Sequence, residues 1–265
     1  MKGLFVLLCV FVAAQARSTG VQSESHRIAA APGENPWVVH LRLAVSTSGL
    51  LNSCVGSLLN NRWVLTSSRC TLNQRFIWLR YDATAVYSPS LVTETSQVTT
   101  NAGLGLSLIN INRNVEFTAN IAPVRLASGN VVPASAKFCG YGANDDGAAG
   151  EYLNCAEVDV AVQEDGSVVA SADATQFDLG APLVADGVQY GVLVQVAEEN
   201  VFVNIASARE WISDVTGIPL ESDESDSNES NGDSNESNGD SGEDDTEEDE
   251  SSGDSEEDES VRFVN

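Results

Sequence analysis

The stretch from Cys54 to Cys70, CVGSLLNNRWVLTSSRC, limits the possible folds of this chain more than any other. Leu58-Leu59 and Val64-Leu65 are strand-like apolar runs, and Asn60-Asn61-Arg62 between them is turn chemistry, so a β-hairpin is predicted. A cysteine stands at each end, and a disulfide forms there only in an oxidising compartment. The amino terminus supplies that context. Lys2 gives a short positive region, Leu4 to Val12 an apolar one, and Ala14-Gln15-Ala16 a small-residue cleavage site, so residues 1–16 read as a secretory signal peptide. The apolar run is too short to span a bilayer, and no later stretch is long and apolar enough. An Arg-rich, amphipathic mitochondrial presequence is a poor match. The expected location is extracellular.

Of five cysteines, Cys9 leaves with the signal. Cys54, Cys70, Cys139 and Cys155 remain, an even set that predicts two disulfides, with three pairings open. No CxxC pair or His-rich cluster is present, so no metal site or other cofactor is expected.

The net charge of −26 is unevenly spread. Residues 221–265 hold 20 acidic residues against Arg262 alone, a net −19, while residues 1–220 carry only −7. No basic patch is available to neutralise phosphates, which argues against nucleic-acid binding. Ser227–Asp233 and Ser234–Asp240 repeat the heptapeptide SNESNGD, with no apolar position for a coiled coil. So few apolar side chains cannot offset ordering entropy, and 221–265 is expected to be a disordered acidic Ser/Asp/Glu-rich tail. Ser222, Ser227, Ser234, Ser241 and Ser255 each stand two residues before a glutamate, which makes them phosphorylation candidates. Asn228 and Asn235 head N-x-S sequons, which makes them glycosylation candidates. Such a tail suits calcium, cationic surfaces, or a partner's basic site; equally, it suits a solubilising spacer. The repeat spacing excludes an EF-hand.

Between them, residues 28–220 contain short β-branched runs separated by Gly, Asn, Asp, Ser and Pro. Trp37–Leu43, Trp63–Ser67, Leu104–Ile111, Cys155–Val162, Pro182–Val184 and Tyr190–Val196 are examples. The spacing predicts an all-β barrel or sandwich without βαβ units, long enough to bury two small cores. One helix is expected near the end. Ser207-Ala208-Arg209-Glu210 has the form of a capping box, Trp211, Ile212 and Val215 form an apolar stripe, and Gly217 and Pro219 end it.

The Cys54–Cys70 stretch also resembles the CGGSL…WVLTAAHC core of the trypsin/chymotrypsin-like serine proteases. Further landmarks follow in family order: Gly33 to Val39, Ile121 to Leu126, Gly140-Tyr141-Gly142, and SAREWISDVTGI, which is very like the terminal helix of insect members. The resemblance covers Ile28 to Leu220. It implies a chymotrypsin-like double six-stranded antiparallel β-barrel with a C-terminal α-helix, and the bridges Cys54–Cys70 and Cys139–Cys155. It also makes residues 17–27 a propeptide, removed by cleavage between Arg27 and Ile28. In the family the freed Ile amino group pairs with an aspartate, here Asp178; alternatively Asp178 only caps its own turn.

Catalysis in this family needs a serine nucleophile, a histidine base and an orienting aspartate. Carried over residue by residue, the histidine position holds Arg69, the aspartate position Gly105 and the nucleophile position Leu179. A guanidinium is a poor proton shuttle near neutral pH. One oxyanion-hole glycine is Phe177, and the cysteines flanking the specificity pocket are missing. Asp173 reads as a loop acid rather than a pocket floor, and only His26 and His40 could serve as another base. The resemblance therefore implies a pseudoprotease of arthropod type rather than an enzyme. Its expected partner is an extracellular protein, such as a protease or another component of a cascade in immunity or haemostasis. The alternative is an electrostatic interaction protein whose tail binds calcium or cationic partners while the barrel serves as carrier.

Overall fold

A computed structural model describes residues 27–45 and 49–220. The expected signal peptide, the expected propeptide before Arg27, the acidic tail segment and all the glycosylation and phosphorylation candidates lie outside the described residues.

After a two-residue strand β1 (Ile28–Ala29), one sheet comprises β2 (Val38–Val45), β3 (Leu50–Asn60), β4 (Trp63–Ser67), β5 (Gln74–Tyr81), β6 (Leu91–Thr95), β7 (Val98–Asn101) and β8 (Leu106–Asn110). The spatial order is β6-β5-β2-β3-β4-β8-β7, antiparallel throughout. Its end strands β6 and β7 are separated only by the corner Ser96-Gln97, where the Gln97 N–H donates to Thr95 Oγ1 at 3.1 Å. Among the described residues no ladder joins β6 to β7, so this sheet forms a half-barrel whose two edges are linked through the chain. The second sheet comprises β9 (Arg125–Leu126), β10 (Ser135–Gly140), β11 (Asn154–Val162), β12 (Val168–Ala170), β13 (Pro182–Ala185), β14 (Val188–Gln195) and β15 (Asn200–Asn204). Six of them form the ring β11-β10-β13-β14-β15-β12, closed by pairing β12 with β11. Strand β1 adds to β11, and β9 lies parallel to β14. The expected all-β double barrel is thus present as one closed six-stranded ring and one half-barrel of seven strands.

The hairpin of β3 and β4 turns at Asn61-Arg62, and an Asn60 side-chain oxygen accepts from the Arg62 N–H at 2.8 Å. Strand β3 is buried from Ser53 to Leu59 without alternation. Both its faces are covered: Cys54 and Leu58 join the first barrel core with Leu41, Leu79 and Tyr81, while Val55 joins the second with Phe138, Leu183 and Phe202. This double burial explains why the sequence from Ser53 to Leu59 holds only small or apolar residues and no charge. Both expected bridges are present, Cys54–Cys70 and Cys139–Cys155.

A short helix α1 (Ser68–Thr71) follows β4, and a longer one, α2 (Ile205–Thr216), ends the described chain. Helix α2 begins before the predicted capping box. Its N-cap is Asn204, whose side chain accepts from the Ala206 N–H at 3.0 Å, and the Ser207 hydroxyl donates to the Asn204 carbonyl at 2.7 Å. The early start has a packing reason, since Ile205 is fully buried and begins the apolar stripe continued by Ala208 and Ile212. Gly217, with φ +73°, caps the other end as expected, its N–H donating to the Ser213 carbonyl. The stripe packs on Leu65 and Leu108 of one sheet and Val184 and Val192 of the other, so the helix ties the barrels together. Ile212→Ala is expected to cost about 2–5 kcal/mol by leaving a cavity in that seam. Urea denaturation with an unchanged slope would report it as a fall in midpoint.

Candidate functional site

The three positions that the resemblance assigns to catalysis are drawn together by backbone hydrogen bonds. Arg69 lies exposed on α1, whose first residue Ser68 donates its N–H to the Gly105 carbonyl at 2.8 Å. The Leu179 carbonyl accepts from the Val55 N–H at 3.0 Å and faces the Cys70 sulfur at 3.4 Å, beside Arg69. Gly180 is pressed so closely that a Cβ would meet Thr66 and the Val55 carbonyl, and its φ of +84° suits glycine. The side chains gathered there offer no proton relay. Gly105 has none, and Leu179 is half-buried and packs against the cores of both barrels. Of the two backbone donors expected to form an oxyanion hole, the Phe177 N–H is engaged by Thr175 Oγ1 at 3.3 Å, inside the 3-10 turn Gln176–Asp178. Asp173 is exposed in the loop before that turn.

Next to it lies the most heavily bonded carboxylate of the site. Asp178 is fully buried. One oxygen accepts from the Gly142 N–H at 2.8 Å; the other accepts from the Thr175 N–H at 2.8 Å and hydroxyl at 3.1 Å. Asp178 thus does cap its own turn, but it also receives a cation. The two terminal nitrogens of Arg27 donate to the two carboxylate oxygens at 3.2 Å each, a bidentate pair. The same guanidinium donates to the Asp173 carbonyl at 3.0 Å and the Asn154 carbonyl at 3.4 Å, and lies 5.3 Å from the centre of the Phe138 ring.

In the uncut chain Asp178 pairs with Arg27, whereas the Ile28–Asp178 pair was expected only after cleavage frees the Ile28 amino group. Ile28 is 73% exposed, and its residue pairs with Cys155 in the sheet. The physical reason is that a peptide-bonded Ile28 offers Asp178 no ammonium, whereas the neighbouring Arg27 side chain reaches the carboxylate with a full charge. Gly140 and Gly142 make the room: a Cβ on Gly140 would overlap an Asp178 oxygen, and one on Gly142 would press on the Arg27 guanidinium at 3.2 Å. The sequence assigned Arg27 to cleavage alone, and the Gly-Tyr-Gly turn was its only trace of a crowded charge behind it.

A Ser–His pair, which no motif announced, lies buried on β2 and β3, on the face turned away from the first barrel core. His40 Nε2 is 2.8 Å from Ser53 Oγ, a nucleophile-and-base distance. Both residues are closed to substrate, at 1% and 4% exposure. The His40 ring meets Tyr141 edge-on with 4.7 Å between centroids, and Tyr141 donates its hydroxyl to the Ala83 carbonyl at 2.7 Å. Burial, reinforced by the positive charges of Arg80 and Arg42, pushes the His40 imidazole down to about 3. His40 is a neutral packing residue at physiological pH. Among the described residues no cluster of three or more His, Cys, Asp or Glu side chains is placed to hold a metal ion.

The trypsin family model matches residues 26–212, most of the chain and all of the arrangement just described. The chain belongs to the trypsin family. Trypsin 5G1 of Aedes aegypti is 24% identical over 217 residues, covering 68% of this chain and 81% of that protein. Trypsin beta of Drosophila erecta is 24% identical, with 67% and 82% covered. The snake venom serine protease Dav-KN of Deinagkistrodon acutus is 25% identical, with 61% and 77% covered. Among solved structures, one described as HL collagenase superposes with a TM-score of 0.65 at 21% identity, covering 74% of this chain and 99% of its own. Another, GrC, gives 0.64 at 16%, with 72% and 98% covered. These structures carry the fold alone.

Within this trypsin fold the buried histidine makes stability depend on pH. Below about 6.5 the unfolded chain protonates His40, whereas the folded chain stays neutral there down to about 3. Folding is therefore weakened as pH falls through that window, by up to about 1.4 kcal/mol per pH unit. Urea denaturation of wild type and His40→Gln between pH 7 and 4 should show this slope in the wild type in excess of the variant. Equal slopes would assign the pH dependence to other groups.

Proposed function

We propose that this trypsin-family chain is a secreted, non-catalytic protease homologue that works by binding. In this reading it is a cofactor or decoy for an extracellular protein, such as a protease or another member of a protease cascade. The observation that carries it is Leu179. An aliphatic side chain packed into both barrel cores stands where the family needs a nucleophile, with no oxygen to attack a carbonyl. Arg69 and Gly105 supply neither base nor orienting carboxylate beside it. Secretion is supported by the amino-terminal sequence and the two disulfides.

The test is functional and uses native extracellular fluid in which a protease cascade is triggered. Purified protein, full-length or lacking residues 221–265, is added, and the cascade's own proteases are followed with chromogenic peptides. Both forms are expected to change the output of other proteases while hydrolysing no peptide themselves. An effect lost with the tail and abolished by high salt would replace this reading with the electrostatic one, in which the acidic segment acts and the barrel carries it.

A further inference from the structure

The bond between Arg27 and Ile28 has the sequence of a cleavage site for a protease that cuts after basic residues. The structure holds both of its sides. On one, the Arg27 side chain is only 10% exposed and its guanidinium is committed to Asp178, the Asp173 carbonyl and the Asn154 carbonyl. On the other, Ile28 and Ala29 are paired with Cys155 and Asn154, and the Ala30 N–H donates to the Leu153 carbonyl at 2.9 Å. A protease of this specificity must draw the arginine into its own pocket and the flanking backbone into its cleft. Neither can happen while these contacts persist.

We propose that Arg27 is an internal ligand that seals this cleavage site and fixes the barrel in its working conformation without cleavage. The guanidinium and Asp178 together tie three segments: the loop at Asp173 to Asp178, strand β11 at Asn154, and, through the Gly142 N–H to Asp178, the turn at Gly140 to Gly142. Cutting the chain would release a new ammonium at Ile28, but the carboxylate it would seek already has a cation. The site opens only when Arg27 is withdrawn from Asp178. This inference stands whether or not the cleft turns over peptide bonds, so its failure and that of the binding reading are separately visible.

Limited digestion of the full-length protein with trypsin tests it, with mass spectrometry reporting the new terminus at Ile28. The internal standard is cleavage after Arg113, which is exposed in a loop. In wild type the Arg27–Ile28 bond is expected to be cut far more slowly than the Arg113 bond. In Asp178→Asn it should be cut roughly 100-fold faster than in wild type, the size expected when one partner of a buried pair is lost and local opening becomes cheap. Arg27→Lys, still a trypsin site but without the bidentate fork, should likewise be cut faster than wild type, and it covers the case in which Asp178→Asn fails to fold. Circular dichroism and the unchanged Arg113 rate establish that a variant is folded. Cleavage of wild type at Arg27 as fast as at Arg113, or folded variants no faster than wild type, would overturn the proposal.

Discussion

A single buried carboxylate organises the functional end of this molecule. Asp178 accepts from the backbone of Gly142, from both donors of Thr175, and from the two ends of the Arg27 guanidinium. A buried charge without partners would be expelled or neutralised; with these it becomes a junction. It joins the start of the described chain to two loops of the second barrel. One of those loops leads directly into Leu179, the position that the resemblance assigns to the nucleophile, so its shape depends on a charge pair.

The rest of the scaffold supports that junction from behind. Strand β3, buried on both faces, divides the barrel cores, and the half-buried Leu179 packs against both of them. The disulfide from Cys54 to Cys70 anchors α1 to β3 and so places Arg69 beside the Leu179 carbonyl. The trypsin fold thus draws Arg69, Gly105 and Leu179 together through backbone contacts. Fold and chemistry are separable.

The fold was readable because its signals are local. The Asn60-Asn61-Arg62 turn, the β-branched runs and the apolar stripe of α2 need only neighbouring residues to be interpreted. The start of α2 was misplaced by three residues because the burial of Ile205, not the Ser207–Glu210 pattern, decides it. Motif spacing alone assigns the three catalytic positions of the family to Arg69, Gly105 and Leu179. The pairing of Arg27 was not legible, since the partner lies 151 residues away and nothing near Arg27 in sequence indicates burial. The His40–Ser53 pair was hidden for a similar reason: two strands in register bring it together, and no local motif encodes it.

The most direct measurement of the central claim is labelling of the intact, folded protein with a serine-directed fluorophosphonate, followed by peptide mapping. An active trypsin run alongside fixes the concentration and time at which a competent site is fully modified. The account predicts no incorporation into this protein under those conditions, because Leu179 offers no nucleophilic oxygen and Ser53 is buried, with only 4% of its surface exposed. Stoichiometric label on any single serine, lost on unfolding, would contradict it and show that the cleft retains a protease's chemistry.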